Sequence, residues 1–211
     1  RYATTESLSY FMYLKPKTAK RMHFDVIPKA MDEYQQQLKA FHTQEPAAQL
    51  NNPIFHIHGR NAPKPDMAVS FSMLLNLAAV ANADEKDQLW GFIQRYAPDT
   101  SAASHPGLDQ AAGFAVRYYN DFVKPTKTYR APSDLERSAL QDLRDQLAAY
   151  QGSLDPEQLQ SIVFACGRER FEPLRAWFKA IYEVLLGASQ GPRFGGFIAL
   201  YGLTETVALI D

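Results

Sequence analysis

LRAWFKAIYEVLLGASQGPRFGGFIALYGLTETVALID, residues 174–211, is the stretch that decides the fold of this chain. Apolar side chains in its first half recur every three or four residues, which is typical of one face of an α-helix. They are Leu174, Trp177, Phe178, Ile181, Leu185 and Leu186. Gly191-Pro192 predicts a bend, and Gly202 is a natural end for the apolar segment that follows. The stretch therefore predicts a long amphipathic helix, a turn, and a short apolar helix.

Two adjacent glycines, Gly195 and Gly196, lie inside the short helix. Glycine is less favourable than alanine in a helix interior by about 1 kcal/mol per residue, so a compensating contact is expected. Either a neighbouring helix or a ligand could approach this closely, and we favour helix packing. Arg193 precedes the glycines as the only cation of the turn, and we expect it to be exposed.

Helical periodicity and helix-end signals continue through most of the chain. A helix is predicted over Asp25–Phe41, with a proline in its first turn. Ser133 opens a capping box, and Asp155 precedes a proline at the first position of a further helix. Strand signals are nearly absent outside Ile54–His58, which we interpret as extended. The chain is predicted to be all-α, a multi-helix bundle of about eight or nine helices.

Residues 43–67, TQEPAAQLNNPIFHIHGRNAPKPDM, interrupt the helical pattern with four prolines. Long connections tend to join domains or to carry function. We place a boundary near Lys64-Pro65. The predicted domains are 1–66, a helical region with its proline-rich connection, and 67–211, an all-helical domain that can divide into sub-bundles 67–152 and 153–211.

The connection contains the string HIHGR, in which His56 and His58 alternate. On a strand the two imidazoles would share a face and could ligate zinc. No CxxC, HExxH or nearby acidic partner accompanies them, so we interpret both as structural or loop hydrogen-bonding residues. Cys166, at an apolar helix end, is interpreted as a packing residue. No catalytic, cofactor-binding or metal-ligating residue is therefore predicted in this chain.

Composition restricts the class of protein. The chain has 211 residues, of which 46% are hydrophobic and 21% charged, which suits one large domain or two small ones. No apolar run approaches the ~18 residues of a membrane span. A single cysteine excludes an intrachain disulfide and favours a reducing cytoplasm. The chain begins at Arg1 rather than Met, and we expect a piece of a longer protein.

The formal net charge of −1 argues against a general nucleic-acid binder but permits a local basic face. Cations cluster in three places: residues 15–21, residues 124–130, where they alternate with tyrosine and proline, and residues 168–175. Such clusters can bind a nucleic-acid backbone. For the first two clusters we favour the other interpretation, solvated helix faces or side chains that lie over the ends of core helices. Both interpretations stay open from the residues alone.

An ordered set of segments resembles the C-terminal half of class I lysyl-tRNA synthetases of the archaeal and bacterial type. The segments are RYATTESLSYFMYLKPKTAKRMHFDVIPKAMDEY, NPIFHIHG, FSMLLNLAAVANADEKDQLWGFIQRYAP, GFAVRYYNDFVKPTKTYRAP and LRAWFKAIYEVLLGASQGPRFGGFIALYG. The resemblance covers essentially the whole chain and is most specific in the first and last segments. In that family the opening segment follows the KMSKS-type loop of the catalytic domain, so Arg1 would lie just downstream of that loop.

The resemblance implies a helical cage of the class I aminoacyl-tRNA synthetase anticodon-binding type, preceded over 1–66 by a stem-contact region. The whole protein would be a cytoplasmic, monomeric ligase that attaches lysine to tRNA(Lys) with ATP through lysyl-adenylate. This chain has neither a HIGH-type nor a KMSKS-type motif, so we expect it to be non-catalytic and to partner tRNA(Lys) and the N-terminal catalytic domain.

With a tRNA as the implied partner, residue type and placement favour thirteen tRNA contacts, although helix capping and core packing remain alternatives for them. The candidates are Lys15, Lys17, Lys20, Arg21, Lys124, Lys127, Arg130, Arg168, Arg170, Phe171, Arg175, Arg193 and Phe194. The alternative function is a helical protein-interaction or scaffold module without nucleic-acid binding. A metal- or nucleotide-dependent enzyme that uses His56 and His58 is the weakest hypothesis.

Overall fold

Twelve α-helices make up the computed structural model, which describes residues 1–211 and contains no strand. The all-α prediction is confirmed, whereas the predicted number of helices is too low because the proline-rich connection is itself partly helical. The helices are α1 Thr5–Tyr13, α2 Ile27–Thr43, α3 Pro46–Gln49, α4 Pro53–His58, α5 Phe71–Ala81, α6 Asp87–Tyr96, α7 Pro106–Tyr118, α8 Asp134–Ala149, α9 Pro156–Arg168, α10 Arg175–Ile181, α11 Phe194–Tyr201 and α12 Leu203–Ile210.

The prediction of an extended segment at Ile54–His58 is wrong, because these residues form α4. The Asn52 side chain accepts a hydrogen bond from the Ile54 amide at 2.9 Å, and Pro53 takes the first helical position. This is a strong start signal that the alternation of histidine and isoleucine obscured. In a helix, residues two apart point in different directions, so His56 and His58 do not share a face.

The long amphipathic helix predicted from Leu174 is regular only over α10. It continues as one turn of π-helix over Tyr182–Leu186, and Gly187 ends it with φ +64°. A positive φ favours glycine, so the residue after the apolar stripe both ends the helix and redirects the chain.

Helix α11, the short apolar helix of the opening stretch, lies between two hydrophobic cores. The first core is built mainly from α5, α6 and α7 and receives Leu200, whereas the second is built from α8, α9 and α10 and receives Phe197. Stacked rings of Phe194, Phe197 and Tyr201 continue the packing along α11, with centroids 5.4 and 5.2 Å apart. Helix α8 contributes Ala139, Leu140, Leu143 and Leu147 to the second core.

Close packing at Gly195 is confirmed. A Cβ on this residue would lie 2.7 Å from Gln160 Cα and closer still to Pro156 O and Gln160 N, so α9 and α11 meet backbone to backbone. The Gly195 amide also donates to Gln160 Oε1 at 2.8 Å. A Cβ at Gly196 would meet only the flexible end of the Met73 side chain, at 3.2 Å. One glycine is therefore required by packing, and the other is not.

The N-terminal region has a small core of its own and is attached to the first core by α2. The small core joins Tyr10, Tyr34, Leu38, Phe41 and Ile54, while the opposite end of α2 contributes to the first core. Asp32 on α2 accepts hydrogen bonds from the Phe71 and Ser72 amides at 2.6 and 3.1 Å. A carboxylate at a helix N-terminus satisfies otherwise unpaired amides, so α2 positions the start of α5.

Candidate nucleic-acid interface

The predicted basic stretch 124–130 meets the turn at 187–193. The Thr128 amide donates to Gly187 O at 3.1 Å and holds the connector between α7 and α8 against the turn that leads to α11. A cavity of about 490 Å³ lies along this contact and is called here the junction groove. Its lining residues are Val123, Thr126, Lys127, Thr128, Arg130, Glu183, Gly187, Ala188 and Ser189.

Lys127 reaches into the protein from the junction groove. Its ammonium donates to Ala79 O at 2.7 Å and lies 5.6 and 5.1 Å from the ring centroids of Tyr119 and Tyr129. No carboxylate lies within ion-pair distance of Lys127, and the side chain is half-buried. The carbonyl and the two rings hold the ammonium, so Lys127 ties the connector to α5.

Arg130, in contrast, is paired with two carboxylates. It binds Glu136 through two hydrogen bonds of 2.8 and 2.7 Å and Glu183 through a third of 2.7 Å. The hydrogen bonds from Arg130 lower the pKa of Glu136 to about 2, against the opposing effect of burial. Glu136 also completes the capping box of α8 by accepting from the Ser133 amide at 2.8 Å. Arg130 therefore fastens the connector to α8 and to the π-helical turn that follows α10.

Three other predicted contacts are also held by acidic partners. Lys124 binds Asp84 at 3.1 Å, and Arg170 binds Asp142 at 2.6 Å. Arg193 binds the Glu157 carboxylate with both terminal nitrogens, one of them at 2.6 Å. Arg193 is exposed as expected, yet it is not free, because an approaching phosphate would have to displace Glu157.

A second group of candidates carries no acidic partner. Lys15, Lys17 and Arg21 are exposed in the loop between α1 and α2, with no hydrogen bond or ion pair from their side chains. Arg168 and Arg175, near the junction of α9 and α10, are exposed in the same way. These five cations can meet phosphate without first losing a carboxylate.

Lys20 differs from its neighbours in the basic loop. Its ammonium donates to the backbone carbonyls of Phe11 and Leu14, which are otherwise unpaired acceptors at the C-terminal end of α1. A cation at this end of a helix also interacts favourably with the helix dipole. Lys20 therefore closes α1 and holds the loop that presents Lys15, Lys17 and Arg21.

The two predicted aromatic contacts lie in the second core. Phe171 is half-buried and stacks on Trp177 with ring centroids 5.3 Å apart. Phe194 is fully buried at 0% exposure, so neither ring face is open to a base. An exposed aromatic residue outside the thirteen candidates is Tyr129, which is 55% exposed and has the Lys127 ammonium 5.1 Å from its ring centroid. The alternation of tyrosine and cations in 124–130 was its only sequence signal.

The structure gives His56, His58 and Cys166 ordinary packing and hydrogen-bonding roles. His56 stacks on Tyr13, and His58 Nε2 lies 2.9 Å from the Tyr34 hydroxyl. No cluster of three or more potential metal ligands occurs in the described chain. Burial raises the pKa of the Cys166 thiol to about 11, so the nucleophilic thiolate is scarce at neutral pH. None of the helices combines the length and the apolar composition that crossing a membrane requires.

Comparison with known proteins gives one consistent result. The family described as tRNA synthetases class I (K) matches residues 1–61. A lysine–tRNA ligase from Roseobacter denitrificans is 72% identical over 210 residues, and one from Rickettsia bellii is 45% identical over 214 residues. Each match includes 100% of this chain and 40% or 41% of the relative, so the chain spans about two fifths of the length of the curated relatives it matches. Along its whole length, the chain is similar to part of a lysine–tRNA ligase.

Proposed function

We propose that this chain is the tRNA-binding, anticodon-recognising C-terminal portion of a class I lysine–tRNA ligase of the archaeal and bacterial type. The observation that carries the proposal is the 72% identity, over the whole chain, to a lysine–tRNA ligase. The all-helical fold agrees with the helical cage that the resemblance implies. The whole protein would attach lysine to tRNA(Lys) with ATP through lysyl-adenylate, in the cytoplasm and as a monomer.

In this proposal, the chemistry takes place outside the chain. ATP and lysine would bind in an N-terminal catalytic domain, and the 211 residues described here would hold the tRNA against that domain. The five cations without acidic partners supply phosphate contacts at two separated places, the loop after α1 and the junction of α9 and α10. Two separated anchors define the orientation of an elongated ligand better than one.

The alternative, a scaffold module, would require a contiguous apolar surface free of cations. Of the nine exposed large hydrophobic residues, four lie between residues 12 and 24: Met12, Tyr13, Met22 and Phe24. The same segment carries Lys15, Lys17 and Arg21, all exposed. A mixed basic and apolar surface suits the tRNA and its associated protein domain better than a purely apolar partner.

Binding of a tRNA(Lys) transcript to the 211-residue chain tests the proposal. We expect saturable binding that weakens with rising salt and weakens further when the anticodon of the same transcript is replaced. The anticodon-replaced transcript is the matched control because its backbone charge is unchanged. Equal affinity for the two transcripts at moderate salt would exclude anticodon recognition, and no binding of either would exclude the proposal as a whole.

A further inference from the structure

A second groove, called here the α5 groove, opens where α2, α5, α7 and the turn before α11 meet. Its volume of about 440 Å³ falls within the ~300–1,000 Å³ that small-molecule sites occupy. One side is a single face of α5, which presents Ser72, Leu75, Asn76 and Ala79 at helical spacing. None of the twelve lining residues carries a charged side chain. The groove therefore favours an uncharged group of a ligand, because an unpaired charge is costly to bury.

Asn76 is the polar group within this face of α5. It is the only polar side chain in residues 73–81, and asparagine is less favourable than alanine inside a helix. Its Nδ2 donates to Ser72 O at 2.6 Å, which leaves one N–H and the Oδ1 acceptor without a partner in the protein. Oδ1 is not a buried atom, so this half-buried residue presents a free amide edge on the face that lines the groove.

Gln190 supplies a second free amide. It lines the groove from the turn before α11, is exposed, and makes no hydrogen bond through its side chain. The other two polar side chains of the lining are already committed: the Ser72 hydroxyl donates to Asp32, and the Tyr118 hydroxyl donates to Phe24 O at 3.3 Å. The free side-chain hydrogen-bonding groups of the groove are therefore two carboxamides.

This combination of groups matches a nucleobase. A carboxamide offers a donor and an acceptor side by side, which is the pattern that base edges complement. Pro28 and Pro192 add apolar surface for the faces of a ring. Three exposed cations, Lys29, Lys124 and Arg193, directly follow lining residues in the chain, and each lies in an ion pair. Positive charge thus occurs at the margin of the groove and not within it, which suits a base inside and its phosphates outside.

We propose that the α5 groove binds one unstacked base of the tRNA anticodon loop, and that Asn76 and Gln190 hydrogen-bond the edge of that base. This inference rests on the proposed tRNA-binding function and names a site for it. Sequence-specific recognition of RNA uses bases splayed out of single-stranded loops and hydrogen-bonded on their edges. A free nucleoside offers the same chemistry, and the test separates the two sources.

The experiment measures the affinity of the 211-residue chain for tRNA(Lys) and, separately, for adenosine. Asn76→Leu keeps a good helix former and removes the amide edge, and it should weaken tRNA binding by about 5- to 150-fold. Gln190→Ala, on an exposed turn, should weaken it by about 2- to 10-fold. Gln141→Ala removes an exposed glutamine outside the groove and should leave the affinity unchanged. Circular dichroism establishes that each variant is folded.

A second measurement identifies the base. Wild type and Asn76→Leu are compared on synthetic tRNA(Lys) molecules in which each anticodon-loop nucleotide is replaced in turn by an abasic one. At one position, the abasic RNA should bind the wild type more weakly and Asn76→Leu no more weakly than the wild type, because both changes remove the same contact.

Three results would overturn the site while leaving the proposed function intact. The first is binding of tRNA(Lys) within twofold of the wild type by both Asn76→Leu and Gln190→Ala. The second is the same loss from Asn76→Leu on every abasic RNA, since the amide would then act on the fold and not on a base. The third is adenosine binding that depends on Asn76 while tRNA affinity does not. Failure of the wild type to bind tRNA(Lys) removes the proposed function itself.

Discussion

Replacement of Gly195 by alanine tests the contact between α9 and α11, on which the second core depends. The added Cβ would lie 2.7 Å from Gln160 Cα, whereas ordinary van der Waals contact begins near 3.4 Å. The obstructing atoms belong to the α9 backbone and cannot rotate away. The two helices must therefore separate by at least about 0.7 Å, and the buried hydrogen bond from the Gly195 amide to Gln160 is stretched with them.

The expected destabilisation follows from opposing contributions. Overpacking in a well-packed core costs about 1–3 kcal/mol, and weakening the buried hydrogen bond adds about 1 kcal/mol. Alanine recovers at most about 1 kcal/mol through its higher helix propensity. The free energy of unfolding should consequently fall by about 1–3 kcal/mol. For a chain of this length, each 1 kcal/mol lowers Tm by about 2–4 °C.

Gly196→Ala is the matched control, because it is the same substitution one residue along the same helix. Its Cβ would meet only Met73 Cε at 3.2 Å, and a methionine side chain can move. This variant should be as stable as the wild type, or more stable by up to about 1 kcal/mol. Urea unfolding followed by far-UV circular dichroism measures both variants. Stability of Gly195→Ala at or above the wild-type value would refute the packing argument, as would equal losses in the two variants.

Two further predictions concern the ion pairs. Glu157→Gln leaves Arg193 without its carboxylate, and we expect it to bind tRNA(Lys) about 2- to 5-fold more tightly in a filter-binding assay; unchanged affinity would mean that Arg193 only fastens the turn. Arg130 lowers the pKa of Glu136 to about 2 from 4.5, so this pair stabilises the fold fully above pH 4.5 and progressively less as the pH falls toward 2. Glu136→Gln keeps the capping geometry but should lose about 1–2 kcal/mol at neutral pH, a deficit that shrinks in acid in urea titrations; a deficit independent of pH would contradict the assignment.

Helix content and the packing glycine could be predicted from the sequence because both depend on local rules. The apolar spacing of α10 and the capping box at Ser133 involve residues within one or two turns of each other, and the structure contains both. The need for close packing at Gly195 followed from the cost of glycine in a helix. Gly195 packs against α9, where Gln160, 35 residues earlier in the chain, accepts a hydrogen bond from the Gly195 amide. No local sequence rule identifies so distant a partner.

The prediction at Ile54–His58 was wrong because two local signals competed. Alternating histidine and isoleucine indicated a strand, whereas Asn52 before Pro53 indicated a helix start, and the cap determined the outcome. Long-range pairing was unpredictable for a different reason. The partners of Arg193 and Arg130 lie 36 and 53 residues away, and composition does not reveal which exposed cation has a carboxylate beside it.

These pairings change what the net charge of −1 implies for RNA binding. When a phosphate meets an unpartnered cation such as Lys15, the condensed counterion is released and nothing replaces it. When a phosphate displaces Glu157 from Arg193, the freed carboxylate attracts a cation from solution, and the net release of ions is smaller. The slope of log affinity against log salt therefore reports the phosphate contacts made by unpartnered cations and is smaller than the total number of phosphate contacts would give. Glu157→Gln should accordingly steepen the salt dependence of tRNA binding as well as tighten it, and tighter binding with an unchanged slope would show that Arg193 does not meet a phosphate.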